Sequence, residues 1–127
     1  MTTDVLKMIS DAMAEMNINY EFMEWTSSPA YPYFTGEYQE MISDSEDGMQ
    51  ETTFILNGFS RSSWFDLESK KSLIENYFNK IYGKTAISSS GNGIAVFYSN
   101  AMPIPTGDAE LKRIQINLTI KEWKVIE

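Results

Sequence analysis

Ile114, Ile116, Leu118 and Ile120 alternate with Gln115, Asn117, Thr119 and Lys121 near the end of this 127-residue chain. A period of two sends one set of side chains to each side of an extended backbone. One face of this strand must meet a core and the other must meet water. That commits the chain to a sheet with one covered face. The apolar phase shifts at Trp123 and Val125, which predicts a bulge near Lys121–Glu122. A strand from Ala109 to Val125 would span about 55 Å at ~3.3 Å per residue. That is long for one domain, so part of it would extend as an arm or twist around the body.

The cover is legible upstream. Val5, Leu6, Ile9, Met13 and Met16 recur at three and four residues, which predicts a helix from a Thr3 cap to Asn17. Ala12 and Ala14 are small enough for a neighbouring element to pack closely. Ile18 to Phe22 alternates as a strand whose phase breaks at Met23, and Thr26–Pro29 reads as a turn. Tyr31–Pro32–Tyr33 should be extended, because proline restricts its predecessor. A second strand follows to Ile42, with Phe34, Gly36, Tyr38 and Glu40 on one face. The third, Glu51 to Phe59, makes a hairpin with it around the acidic tip Ser43–Gln50. Ser62–Ser63 caps a second helix with Leu67, Ile74, Phe78 and Ile81 as its stripe and Gly83 as its stop. Ile94 to Tyr98 is a further strand, and Thr85 to Ser88 a short extra one. The reading is one α+β domain over 1–127. It has a mainly antiparallel sheet with two helices packed on one face, in the order α-β-β-β-α-β-β.

Charge is divided along the chain. The first sixty residues hold eleven acids and one base, and the rest hold seven acids and nine bases. No base stands between Lys7 and Arg61. Such a chain can offer an acidic patch on one side and a basic one on the other. A sequence pI near 4.5 disfavours binding to phosphate backbones. With no cysteine and no histidine, disulfides, thiolate metal sites and the Ser-His-Asp triad are excluded. MTTDVLKMIS lacks a basic region and an apolar run, so no signal peptide is expected. No stretch approaches eighteen apolar residues, so no membrane span is expected.

The tip Asp44-Ser45-Glu46-Asp47-Gly48 invites a calcium reading. Setting Gly48 at the sixth position of an EF-hand loop puts Ser43 first and Phe54 twelfth, and both ligand positions fail. Carboxylate pairs such as Glu37 with Glu40 are what chance supplies among eighteen acids. The serine clusters read as turns and caps. The chain is therefore not read as an enzyme, and no cofactor is implied. Phe59 and Phe65 are expected in the core. Tyr31, Tyr33 and Tyr38 on the polar hairpin fit either core or interface. The residues expected at a subunit or partner interface are Tyr33, Tyr38, Asp44, Glu46, Asp47, Lys70, Lys71, Lys112 and Arg113.

The order of these pieces resembles the tail terminator, or tail-to-head joining, proteins of long-tailed bacteriophages. The resemblance rests on the opening amphipathic helix and on Tyr31-Pro32-Tyr33 entering a strand. It also rests on the polar hairpin, on Thr53-Phe54-Ile55-Leu56 feeding a capped helix, and on Gly107-Asp108 leading into Arg113-Ile114-Gln115-Ile116-Asn117-Leu118. It implies a small α+β subunit that forms a homo-oligomeric, hexameric ring. The ring caps the tail tube, ends its polymerisation and docks on the head connector, with DNA passing through the lumen. The implied location is the virion tail or neck, and the host cytoplasm during assembly. A head-completion or stopper protein, a minor capsid protein of the same neck region and an acidic DNA mimic are the alternatives. The family implies no catalytic residues. Removing residues 43–51 is expected to abolish ring formation or tail-to-head joining; unchanged joining would make the tip a solvated loop.

Overall fold

The computed structural model of the chain describes residues 1–26, 30–41, 49–61, 63–79, 83–88 and 91–123. The elements are α1 (Thr3–Glu15), β1 (Asn19–Phe22), β2 (Tyr33–Glu40), β3 (Met49–Ser60), α2 (Trp64–Tyr77), β4 (Lys84–Ile87), β5 (Gly93–Ile104) and β6 (Lys112–Trp123). The strands form one sheet in the order β1-β2-β3-β6-β5-β4. The α+β class, the β2–β3 hairpin and the short extra strand agree with the sequence reading. The acidic tip with Asp44, Glu46 and Asp47, the turn at 27–29, Ile81 and Val125 lie outside the described residues.

The strand expected from the alternating isoleucines is β6, and it occupies the middle of the sheet. It pairs antiparallel with β3 over its whole length and with β5 along most of it. Ile114, Ile116, Leu118 and Ile120 are buried, and their alternates face away from the helices. No arm leaves the body within the described residues. The bulge expected at Lys121–Glu122 is absent, because the register there is unbroken on both sides. Glu122 instead keeps the phase of Ile120 and is 1 % exposed. It fits because α1 begins above it: the Thr2 hydroxyl donates to Glu122 Oε2 at 2.6 Å. Trp123 takes the other face, over Gly93. The irregularity lies in β5, where the register shifts between Tyr98 and Asn100.

The sheet is mixed rather than wholly antiparallel, since β1 pairs with β2 in parallel, Asn19 opposite Tyr33. A parallel pair needs a connection long enough to return the chain to its starting end. Residues 23–32 provide it, starting from Met23 at φ 70°. The Met23 amide donates to the Gly36 carbonyl at 2.7 Å. The Tyr31–Pro32 bond is cis, and residues 31–32 bend before β2 begins, so the extended stretch expected there starts only at Tyr33.

Both helices cover the same face. Val5, Ile9 and Met13 from α1 and Leu67, Ile74 and Phe78 from α2 share one core with Phe34, Phe54 and the β6 isoleucines. Each fully buried side chain of this kind contributes about 1.5–3 kcal/mol. Asn17, at φ 59°, ends α1 where expected; Ala12 is buried, whereas Ala14 is exposed. Ser63 caps α2 by accepting from the Asp66 amide at 3.3 Å. That cap sets Leu67 inward, and Phe65, two positions earlier, then points outward. Phe65 is 78 % exposed, so the expectation that it joins the core fails. Phe59 fails too: it is half-buried on the sheet face that no helix covers. The helix stops at Phe78, short of Gly83. The Phe78 carbonyl accepts from the Tyr98 amide at 2.6 Å, which ties the helix end to β5.

Two glycines let aromatic rings lie against the backbone of the neighbouring strand. A Cβ on Gly58 would sit 2.4 Å from the Phe34 ring, and one on Gly36 would sit 2.7 Å from the Phe54 ring. Phe34 and Phe54 are fully buried and cannot move aside. Gly58→Ala is therefore expected to cost about 1–3 kcal/mol as overpacking, read as a lowered urea midpoint at unchanged m-value.

Candidate functional site: the two sides of the sheet

The charge division of the sequence becomes a division across the sheet. Strands β1, β2 and β3 carry Glu21, Glu37, Glu40 and Glu51 and no base. Strands β6, β5 and β4 carry Lys112, Arg113, Lys121 and Lys84, and their one acid is the buried Glu122. The β3–β6 seam separates the two halves. Glu51 and Lys121 face each other across it. The outermost strand on the acidic side is β1, and on the basic side β4.

On the uncovered face an aromatic row crosses the acidic half and meets arginine. Trp25 packs on Tyr33 with ring centroids 4.9 Å apart, Tyr31 on Tyr33 at 5.4 Å, and Tyr33 on Phe59 at 5.2 Å. The Arg113 guanidinium lies 5.8 Å above the centre of the Phe59 ring. It also donates to Asn57 Oδ1 at 2.8 Å, and Asn57 Nδ2 donates to Glu37 Oε1 at 3.1 Å. An acid of β2 and a base of β6 are thus linked through the amide of β3. Arg61 closes the corner. Its Nε donates to the Tyr31 hydroxyl at 3.2 Å, and its Nη1 lies 3.5 Å from Asp108 Oδ2. Burial, then the neighbouring Tyr31, push the Tyr33 phenol up.

The helix-covered side carries the other features. Phe22 stacks on Tyr38 at 6.2 Å, at the outer margin of β1 and β2. Lys71 pairs with Glu68 at 3.4 Å on α2. Lys112 Nζ donates to the Ala109 carbonyl at 2.9 Å. A groove of 410 Å³ runs between α1 and β4, lined by Met8, Ala12, Ala86, Ile87 and Ile94 with charged groups around them. At its end Lys84 Nζ lies 4.6 Å above the Tyr77 ring, and the Tyr77 hydroxyl donates to Glu15 Oε2 at 2.8 Å.

The residues expected at an interface therefore do not form one patch. Tyr33 and Arg113 share the uncovered face, with Tyr33 held inside the aromatic row. Tyr38, Lys70, Lys71 and Lys112 belong to the helix side. Sequence reasoning missed Trp25, Phe22, Arg61 and Ile87. Arg61 could have been singled out as the base that ends the acidic stretch. Phe22 could have been noticed as the outermost aromatic of its alternating run.

Among the described residues no cluster of three or more acids could hold a metal ion, and no helix is long and apolar enough to cross a membrane. No protein-family model matches the chain, and no curated protein matches it.

The Tyr77 phenol is pushed up to about 12, first by burial and then by the hydrogen bond to Glu15. The folded state then holds this proton more tightly than the unfolded chain, where the group titrates near 10. Its stabilisation is complete below pH 10 and is lost as pH rises toward 12. Urea midpoints measured from pH 9 to 12 are expected to fall less steeply in Tyr77→Phe than in the parent.

Proposed function

We propose that this chain is a structural subunit that assembles head to tail into a ring at the neck of a tailed bacteriophage. There it ends the tail tube and joins the tail to the head connector, and DNA passes through without specific binding. The observation that supports this reading is the polar sheet: four acids and no base on one lateral half, four bases and one buried acid on the other. A surface that differs from edge to edge is ill suited to a two-fold dimer, which buries the same patch on both partners. It suits a heterologous contact, in which one edge meets the opposite edge of the next copy and the series closes as a ring. Opposite charge on the two edges steers the encounter and fixes its register. The aromatic row, locked internally by stacking and by Arg113, provides a stiff uncovered face for contact with tube or connector. A DNA mimic gains nothing from a basic half-sheet, which makes that alternative the weaker one.

Negative-stain imaging and mass photometry of the chain test the proposal. The expected particle is a hollow ring of six subunits that loses subunits as ionic strength rises. A two-fold dimer, or a monomer up to about 1 mM, would count against it.

A further inference from the structure

Strand β4 is the margin of the sheet on the basic side, and among the described residues it pairs with β5 alone. All four of its residues are exposed, Ile87 at 80 %. The Ser88 amide donates to the Asn92 carbonyl at 2.8 Å, which continues the β4–β5 register by one step. In an antiparallel pair, residues alternate between bonding the partner strand and turning their backbone groups away from it. Lys84 and Ala86, in phase with Ser88, bond to β5. The N–H and C=O groups of Thr85 and Ile87 then point out of the sheet. A row of such groups is a template for one more strand.

This margin is walled on one side. The 410 Å³ groove runs between it and α1. The groove meets residues 84–88 in succession, and successive side chains of a strand point to opposite faces. It therefore follows the backbone of β4 rather than one set of its side chains. The facing wall is a single stripe of α1, with Asp4, Met8, Asp11 and Ala12 at helical spacing. The volume lies within the range of about 300–1,000 Å³ typical of sites that bury a ligand. An exposed sheet edge of this kind can capture an extended peptide as an added strand: main-chain bonds hold it and side-chain pockets select it.

Charge gives the groove a direction. Helix α1 starts level with Ala86, because Thr2 bonds Glu122, and Glu122 is paired with Ile94 and through it with Ala86. It ends at Glu15, bonded to Tyr77, over whose ring Lys84 lies. Asp4 thus stands toward the Ile87 end and Lys84 at the other. Between them Lys7 and Asp11 pair with each other at 2.9 Å.

We propose that the α1–β4 groove binds an extended segment of a partner polypeptide as an added strand antiparallel to β4, with a base near its start and an acid near its end. Only another backbone meets the outward donors and acceptors of Thr85 and Ile87 at strand spacing. Alternate apolar side chains of the segment lie against Met8 and Ala12, its base meets Asp4 and its acid meets Lys84. Four residues of β4 are a short template, so the α1 wall makes the capture selective. The inference does not depend on the ring reading.

A blocked heptapeptide tests this: lysine first, then alternating threonine and valine, then glutamate. Titrated into the isotope-labelled chain, it should shift the Thr85 and Ile87 amide resonances with a Kd of about 1 mM or tighter. Thr85→Pro removes an outward donor at an edge position that tolerates proline. It should melt with the parent and bind at least about tenfold more weakly. N-methylation of alternate peptide amides should do the same in one of its two phases. Exchanging the charged ends of the peptide should also weaken binding. No binding, binding that survives both backbone blocks, or equal binding with the ends exchanged would overturn the proposal. Self-association lost in Thr85→Pro would place a second copy on this edge and overturn it too. A parent chain that stays monomeric counts against the ring alone and leaves this inference standing.

Discussion

The pairing of β3 with β6 holds this molecule together. Twelve residues of each strand lie opposite one another, from Met49 with Trp123 to Ser60 with Lys112. The ladder joins the first half of the chain to the second. It is also the boundary between the acidic and basic halves of the sheet, so the strongest join is the electrostatic seam. The aromatic row, the Glu37–Asn57–Arg113 link and the facing pair Glu51 and Lys121 all cross it or end on it. Losing that pairing would leave two partial sheets, each with half a core beneath the helices.

One covered face and one bare face follow from this centre. The helix side is filled by Phe34, Phe54, Phe78 and the branched residues of β6. The bare side has no apolar core of its own. It is finished by stacked aromatics at one end and by Thr, Asn and Gln elsewhere, whose polar ends stay wet while their stems shield the backbone. The lateral margins are kept short, which limits casual strand addition. What remains sticky is local: a few aromatic, methionine and isoleucine side chains at two opposite margins.

Much of the architecture could be read from periodicity. The β6 alternation, the α1 stripe, the Ser63 cap and the β2–β3 hairpin all express local preferences that the packed structure keeps. The misreadings have physical causes. The sheet looked mainly antiparallel because strands close in sequence usually form hairpins, but residues 23–32 carry the chain back so that β2 starts parallel to β1. Trp123 looked like an apolar phase shift, because a glutamate in the buried phase is not expected. Only the tertiary placement of Thr2 over Glu122 makes that position tolerable. Phe65 looked like core because it is large and apolar, yet it stands two positions before Leu67 and so off the stripe of Leu67, Ile74 and Phe78 that α2 turns inward. The candidate contact site was legible as charge but not as place. Tyr33 and Tyr38 are close in sequence, yet their odd separation puts them on opposite faces.

The central position of β6 also governs the order in which the molecule can be built. β6 follows the other described strands in the chain, and β3 and β5 both wait for it. Until it is made, the nascent chain has only the hairpin side and the β4–β5 side, with their inner edges open. Open edges invite pairing between neighbouring chains. Here the early segment carries eleven acids against one base in its first sixty residues. Like charge holds nascent copies apart during this interval. The bases of β6 come after this acidic segment and meet it at the seam, Lys121 opposite Glu51. The acidity of the first half thus opposes contact between unfinished chains before β6 brings its bases to the seam.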